Sequence, residues 1–402
     1  MNLPAGLIRG ATRGPALVRD VAVRADHALS CGPRTTLNHA RERRRARLGE
    51  TAASDRVYAT LWSDAASELG ASVRELPGGL LEIRLGLDRT RVWRQWVELD
   101  DAVTIRAALN RTLVDRALTA AAVPVPDNLT VSIGDLAPAE RFLEQHGSVA
   151  VKPAAGTGGG RGTTVGVCTV PELRRAALLA SRHDAEVVVE RSAAGDVYRF
   201  LFLDGRLLDV VRRSPPHVTG DGRSPIRRLI QLENARRLEA RGDAGLPLIT
   251  ANLDMLLTLA RSGLTLSSVP VAGARLAVKT VTNQSGPADN HTIHQPAADA
   301  LVEEARRAAE AVGVRLAGVD LIAPDLDRPL GESGGVVIEV NAGPGLHHHY
   351  HVADPATATR VCVPVLAQLL ATGPTGDEGQ PLASTAPPVH PRTLGSKPED
   401  SP

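Results

Sequence analysis

Between Ala150 and Val165 the chain reads Ala-Val-Lys152-Pro-Ala-Ala-Gly156-Thr-Gly158-Gly159-Gly160-Arg161-Gly162-Thr-Thr-Val, a lysine closing an apolar run and then a dense glycine cluster. Glycine loses more backbone freedom on ordering than any other residue, so this density excludes a helix or a strand interior. The next residues, Thr163-Thr-Val-Gly-Val-Cys168-Thr-Val170, are rich in β-branched side chains, which suit a pleated surface. The stretch is constrained to strand, glycine loop, strand. Backbone N–H groups of such a loop can approach an anion with no Cβ in the way, and Lys152 adds a full charge beside them. Two other phosphate loops do not fit. A Walker A loop needs Gly-Lys-Ser/Thr opening a helix, and here the lysine precedes the glycines. A dinucleotide fingerprint needs a glycine where Arg161 stands. Taken alone, the hairpin is either a lid that folds over a nucleotide or a surface hairpin with a loose tip.

A second constellation lies near the far end of the chain. Val336-Val-Ile-Glu339-Val-Asn341 places Glu339 and Asn341 two apart on a strand, so both side chains leave the same face. A carboxylate inside an apolar run is costly unless it meets a cation. Asp320 stands in a similar run, Ala317-Gly-Val-Asp320-Leu-Ile322, and antiparallel pairing of the two strands would bring it to the same spot. Two carboxylates and an amide oxygen are hard ligands suited to Mg²⁺ that also holds phosphate oxygens. The competing arrangement is a buried salt bridge to an arginine.

Around these two stretches the chain divides into five parts. Residues 1–53 form a weakly defined segment that carries the basic run Arg41-Glu-Arg43-Arg44-Arg45-Ala-Arg47, read as a solvated helix face. Residues 54–102 are expected to form a small α/β domain, with an amphipathic helix from Val57 to Leu69 and strands at Ser72–Leu76 and Leu80–Leu85 flanking Pro77-Gly-Gly79. In 103–204, one long helix from Val103 to Ala122 is followed by the Val123-Pro-Val-Pro126 break, the glycine hairpin and the strand Val187–Arg191. Tyr198–Leu203 and Arg206–Val211 form a hairpin turned by Asp204-Gly205, which supplies the positive φ angles of a two-residue turn. In 205–372, helices at Asn252–Ala260 and Ala298–Val312, stopped by Gly263 and Gly313, precede the carboxylate strands. Residues 373–402 are rich in Pro, Gly, Ser and Thr and are expected to be disordered.

Lys and Arg number 46 against 45 Asp and Glu, a net charge of +1, so no overall field draws the chain to nucleic acid or membrane. Neither partner is expected. The amino terminus has no apolar signal core, and no run approaches membrane-spanning length. Cys31, Cys168 and Cys362 form no metal spacing or disulfide framework, and the expected compartment is the reducing cytoplasm.

Several stretches together carry a resemblance: Val151-Lys-Pro153 with Gly160-Arg-Gly162, Val189-Glu-Arg191 with Tyr198-Arg199, Arg212-Arg-Ser-Pro-Pro-His217-Val-Thr-Gly220-Asp-Gly222, Leu259–Leu266 with Ser268-Val-Pro270, Gly318-Val-Asp320 and Glu339-Val-Asn-Ala-Gly-Pro-Gly345. From about Ile105 to His351 the chain resembles the ATP-grasp carboxylate-amine ligases, and within them the ATP-grasp module of the cyanophycin synthetases. The resemblance implies an α+β (α/β) fold with two α+β subdomains gripping ATP. It implies ATP and Mg²⁺ as cofactors, and amino acids or a short peptide as substrates. Lys152 resembles the strand lysine on the ATP phosphates, and Gly158, Gly159, Gly160, Arg161 and Gly162 the lid over them. Glu190 matches the acid on the hinge strand beside the adenine, with the backbone from Arg191 to Ala193 alongside. Asp320, Glu339 and Asn341 match the Mg²⁺ ligands. Arg111 stands where relatives carry a second phosphate-binding lysine. Asp196 stands one step early for the ribose acid, whose usual place is Val197. Lys279 replaces an arginine; with Lys152 and Arg213 it would steady the transferring phosphoryl group. Arg199, Arg212, Arg213, His217, Ser285 and Gly286 fall on the substrate side, although Arg212 and Arg213 alternate on a strand and at most one points inward. His347-His348-His-Tyr350-His351 comes directly after the carboxylate strand, as a substrate-binding loop, an exposed loop or a transition-metal cluster.

Cyanophycin synthetases fuse such a module to a second ligase module with its own P-loop, and no Gly-Lys-Ser/Thr loop is present here. The expectation is an enzyme that makes one kind of amide bond through an acyl phosphate. The nearest alternatives are a γ-glutamyl or D-alanine type ligase. From other classes, a small-molecule kinase and a non-catalytic nucleotide-binding regulator remain open. Relatives are often dimers or tetramers, so a homo-oligomer is possible.

Overall fold

The computed structural model describes residue 12 and residues 16–31, 53–155, 160–239, 246–295 and 297–372. The basic run at 41–47, Gly158 and Gly159 of the glycine loop, and the 373–402 tail lie outside them. Within the amino-terminal segment, helix α1 spans Ala16–Cys31.

The first sheet is an antiparallel meander in the order β1 (Ser72–Leu76), β2 (Leu80–Leu85), β3 (Asp88–Trp93), β4 (Trp96–Val97). The helix over residues 53–69, α2, lies on it. Tyr58, Trp62, Ala65 and Ala66 meet Leu81, Ile83 and Val92 there. β3 and β4 were not foreseen, because Asp88-Arg-Thr-Arg-Val-Trp93 carries three charges on a half-exposed strand.

One long helix was expected from Val103 to Ala122; the structure has two, α3 (Ala102–Ala108) and α4 (Arg111–Ala120). Asn110 leaves helical space at φ −101°, ψ 104°, and its side chain accepts from the N–H of Leu113. A short amide that satisfies an orphan helix donor competes with continued helix and wins here. The break sets Arg111 at the first turn of α4.

The second sheet has the order β5 (Asn128–Ser132), β8 (Glu186–Arg191), β6 (Val149–Pro153), β7 (Thr164–Val167), all antiparallel. Strands are thus observed on both sides of 154–163, where the sequence placed them. Helices α5 (Ala137–His146) and α6 (Val170–Ala180) cover one face, where Val149, Val151, Val187 and Val189 meet Leu143, Leu173 and Ala177. The alternation then puts Lys152 and Glu190 on the other face.

The third sheet, in the order β13 (Asn290–Thr292), β10 (Arg206–Arg213), β9 (Asp196–Leu203), β14 (Leu316–Ala323), β15 (Val336–Ala342), is the body of the molecule. The division at 204/205 does not match this sheet: residues 196–204 pair with β10 and β14, in the same sheet as the carboxylate strands. The cause is the Asp204-Gly205 turn, with φ of 48° and 76°, which keeps β9 and β10 together. One face, with Phe200, Phe202, Val319 and Val340, packs on Leu301, Ala305 and Ala308 of helix α9 (Asp299–Val312). On the other, Leu201, Leu203 and Leu316 join the core of the first sheet with Val365, Leu366 and Leu369 of the carboxy-terminal helix Cys362–Thr372. The rest of that second face is polar.

A smaller unit holds β11 (His217–Thr219) paired with β12 (Arg275–Ala277), helix α7 (Ile226–Glu239) and helix α8 (Leu253–Arg261). α7 was not foreseen. No described helix is long and apolar enough to cross a membrane.

Candidate active site

The polar face of the third sheet is assembled by register. β14 and β15 pair antiparallel with Asp320 opposite Glu339 and Gly318 opposite Asn341, as the sequence reading required. On the other side Asp320 stands opposite Arg199 of β9. Arg199 faces Val211, so Arg213, two residues on, shares this face. Arg212 points the opposite way, 3.6 Å from the exposed Asp196. Of the adjacent arginines only Arg213 turns toward the carboxylates.

Asp320 and Arg199 are each 4% exposed. Arg199 Nε bonds one carboxylate oxygen of Asp320, and Nη2 donates to the other at 2.7 Å. Arg213 Nη1 lies 3.9 Å from the second oxygen. The arginine salt bridge weighed against a metal is therefore present. Burial alone would raise the Asp320 pKa, but Arg199 and Arg213 outweigh it and hold the carboxyl low. Burial, and then the neighbouring Arg199 cation, push Arg213 down to about 10. Asn341 Nδ2 donates to the Gly318 carbonyl at 3.3 Å and to Asp320 at 3.5 Å. A Cβ at Gly318 would lie 3.1 Å from Arg199 Cδ and 2.7 Å from Pro344 Cβ, so the glycine makes room for the guanidinium.

Lys152 and Arg111 meet at Glu190. Lys152 Nζ bonds one Glu190 oxygen, Arg111 Nε donates to the other at 2.7 Å, and Arg111 Nη2 also donates to the carbonyl of Ile338 on the carboxylate strand at 2.7 Å. Arg111 thus ties the second sheet to the third. Burial lowers the Lys152 pKa, the Arg111 charge lowers it further, and Glu190 opposes both. Burial would raise Glu190, yet Arg111 and Lys152 hold it low. One carboxylate shared by two buried cations leaves capacity for an anionic ligand. Glu190 is placed here as counter-ion to the phosphate-binding candidates; Arg191 turns outward to Asp127 at 2.9 Å.

The β6–β7 hairpin docks on α8. Asp254 accepts from the N–H of Val165 at 3.3 Å, and Arg261 Nη2 donates to the carbonyls of Val165 at 2.6 Å and Gly166 at 3.2 Å. Gly166 has φ 68°, and a Cβ there would overlap the Arg261 guanidinium. Gly160 and Gly162 also lie at positive φ. Gly162 packs so closely on Pro153 and His183 that a Cβ would come within 2.9 Å of each.

The substrate-side candidates form two groups. His217 Nδ1 lies 3.1 Å from Asp289, whose carboxylate also accepts from Arg275 at 2.9 Å and from the Gly286 N–H at 2.8 Å; Ser285 Oγ bonds the Ser214 carbonyl at 2.5 Å. Lys279, 1% exposed, donates to Gln284 Oε1 at 3.0 Å and reaches the Thr250 carbonyl at 3.5 Å. It braces the loop whose Thr282 carbonyl accepts from Arg213 at 3.2 Å. In the other group His347 Nδ1 lies 2.9 Å from Tyr58 Oη, and the His347 and His348 rings sit 4.0 Å apart. Burial, then His351 and Arg213, push His347 down to about 3; burial and His347 hold His348 low as well. Both rings are neutral near pH 7. Among the described residues no cluster of three or more His, Cys, Asp or Glu could hold a metal, so the histidines are not a transition-metal cluster. Sequence reading missed Tyr58, Asp289 and Arg275, which act through contacts distant in the chain; no local pattern marks them.

Glu339 stands opposite Asp320, and Asn341 opposite Gly318 on the same face. Their oxygens are the hard donors that a divalent cation such as Mg²⁺ takes, and to hold one Asp320 has to turn from Arg199 and Asn341 has to present Oδ1 in place of Nδ2.

No protein-family model matches the chain. It is 31% identical over 276 residues to the cyanophycin synthetase of Trichormus variabilis, covering 67% of this chain and 30% of that protein. With the cyanophycin synthetase of Synechocystis sp. it shares 32% identity over 319 residues, covering 75% and 36%. A crystal structure of a bifunctional glutathione synthetase from Pasteurella multocida superposes with a TM-score of 0.48 at 24% identity, covering 75% of this chain and 42% of that one. The chain spans about a third of the length of the curated relatives it matches. With Lys152 on a glycine hairpin and Asp320 facing Glu339 across paired strands, these sequence matches settle the assignment: the chain belongs to the ATP-grasp ligases, as a module similar to one part of the cyanophycin synthetases.

Proposed function

We propose that the protein joins the carboxylate of one amino acid or short peptide to the amine of another, at the expense of ATP and in the cytoplasm. The observation that carries this reading is the opposition of two polar faces. Lys152 and Arg111 share one carboxylate on the lid sheet, and Asp320, Glu339 and Asn341 converge on the body sheet, with Arg111 bonded to both halves.

In this reading Asp320, Glu339 and Asn341 would hold Mg²⁺, which supplies charge neutralisation at the phosphate oxygens. Lys152 and Arg111 take the triphosphate in place of Glu190, and the lid N–H groups close over it. The substrate carboxylate attacks the γ-phosphorus, ADP leaves, and the acyl phosphate keeps its activated carbonyl shielded from water by the docked lid. An amine then attacks that carbonyl; the C–N bond forms, the C–O bond to phosphate breaks, and phosphate leaves. Arg213 and Arg199 offset charge beside the reacting carboxylate. No protein nucleophile is needed.

A phosphate-release assay over amino acids offered singly and in pairs with Mg-ATP tests it. A ligase requires two organic substrates, a kinase one with no free phosphate, and a regulator responds to none. Lys152→Ala and Glu339→Gln should each abolish the pair-dependent release; parental rates in either variant would sink the assignment.

A further inference from the structure

Helix α1 crosses the joint between the second sheet and the smaller unit. Its contacts recur at Asp20, Val23, Asp26, Ser30 and Cys31, a spacing that puts all five on one face. Along most of that face its neighbour is α6, which covers the second sheet. Arg182, just past α6, lies 2.9 Å from Asp20, and Val23 packs on Leu178. Arg175 donates Nε and Nη2 to one oxygen of Asp26 at 3.0 and 2.9 Å, and Nη2 also donates to Ser30 Oγ at 2.8 Å. Cys31 ends the helix in a different core, that of the smaller unit, with Ile226, Met255 and Leu259.

The same joint is spanned from inside by α8. Leu253 and Leu257 belong to the core of the second sheet, and Met255 and Leu259 to that of the smaller unit. Asp254 and Arg261 of α8 hold strand β7. α1 and α8 are therefore two ties across one joint, and that joint carries the glycine hairpin.

The outer tie is the weaker. Among the described side chains of α1 only Val23 and Cys31 are buried, while Val21 and Leu29 face solvent. The rest of the hold is polar, and the second oxygen of Asp26 is closed off from solvent without a hydrogen-bond partner among the described residues, which weakens the pair it belongs to. So little apolar burial places α1 among the segments that open locally before the whole chain unfolds. We propose that α1 is a releasable strap: docked, it holds the second sheet on the smaller unit with the glycine hairpin closed; released, it lets the second sheet swing and the nucleotide exchange. The proposal rests on the ligase reading for the nucleotide under the hairpin, and it makes release of α1 and binding of nucleotide oppose each other by one common factor.

Three cysteines report on it. Cys168 is exposed, Cys31 is 8% exposed and Cys362, in the core of the body, is 0% exposed. Burial, and then the Asp26 charge, push the docked Cys31 thiol up to about 11. Only the thiolate alkylates, so Cys31 is labelled through release of α1 and Cys362 through global unfolding. The full chain is treated with iodoacetamide and each cysteine is followed by mass. In the wild type Cys31 should label well ahead of Cys362. Leu366→Ala, a cavity beside Cys362, should speed Cys362 about tenfold or more and leave Cys31 within about twofold. Saturating Mg²⁺ with a non-hydrolysable ATP analogue should slow Cys31 about fivefold or more. Asp20→Arg with Asp26→Arg sets like charges across α1 and α6; Cys31 should then label within about threefold of Cys168, and the analogue should bind more weakly by the factor that protected Cys31 in the wild type, as calorimetry will measure. Cys31 rising with Cys362 in Leu366→Ala would show that α1 has no release of its own, and the strap is wrong. A wild-type Cys31 rate unchanged when calorimetry shows the analogue bound overturns it with no variant at all. A wild type that does not bind the analogue removes the nucleotide reading and the strap with it.

Discussion

Asp320→Asn separates the two roles that one carboxylate plays, partner of Arg199 and candidate metal ligand. The substitution keeps the shape, removes the charge and strands a guanidinium that is 4% exposed. Breaking a buried pair by removing one partner costs about 3–5 kcal/mol. The amide can still accept one hydrogen bond and Arg213 adds repulsion, so we take about 3 kcal/mol, which lowers Tm by roughly 4 °C in a chain of 402 residues at an unfolding entropy of about 2.1 cal/mol/K per residue. Removing the stranded cation as well, in Asp320→Asn with Arg199→Leu, should return about 2 kcal/mol of that loss. Thermal and urea unfolding without nucleotide measure the stability; Mg-ATP turnover with the best substrate pair measures the chemistry. The double variant should regain stability and stay inactive. The acid limb has a definite sign: the folded Asp320 pKa is depressed, so its contribution is complete above the unfolded value of about 3.9 and disappears as pH falls through the lower folded value. The gap between wild type and Asp320→Asn should therefore close in acid. A single variant that melts within about 1 °C of wild type would show that the pair carries no stability, and recovered turnover in the double variant would show that the carboxylate is dispensable to ATP chemistry.

The other predictions concern the histidine loop and the lid. His347 is depressed to about 3 chiefly by burial, so the unfolded chain binds its proton first and stability falls as pH drops from about 6.5 toward 3. Because the ring keeps partial exposure, the loss between pH 7.5 and 5 should be on the order of 1 kcal/mol and should be missing in His347→Gln, as urea unfolding at the two pH values will show. Arg261→Ala removes two donations to the lid backbone, from a partly exposed side chain worth about 1 kcal/mol. Amide exchange over Thr164–Val167 should speed up about fivefold, with a raised ATP KM; unchanged exchange would mean that Arg261 does not hold the lid.

The parts of the fold that could be read from sequence were those with strong local signals. The glycine cluster had to be a loop between strands, Asp204-Gly205 had to be a hairpin, and alternation put Glu339 and Asn341 on one face. Asn110 was overlooked because its effect is capping, which a pattern of apolar spacing does not register. The sequence placed residues 196–204 with the lid because proximity in the chain favoured the lid strands, whereas the tight turn tied them to β10. At the site, charge identity was legible and partnership was not. Glu190 was expected beside adenine and is found bridging Lys152 and Arg111; Arg199 was expected at substrate and is found on Asp320. Lys279 was expected at the phosphoryl group and is found bracing a loop. Tyr58 and Asp289 reach their partners only through tertiary packing.

Trp96 lies against the turn after the carboxylate strand so tightly that a Cβ at Gly343 would come within 2.6 Å of the indole, and Tyr58 holds His347. The amino-terminal meander and the histidine loop are therefore one solid piece with a common interior. Substitutions in Trp62 or Ile83, at the heart of that shared core, will loosen the histidine loop before they cost the folded state.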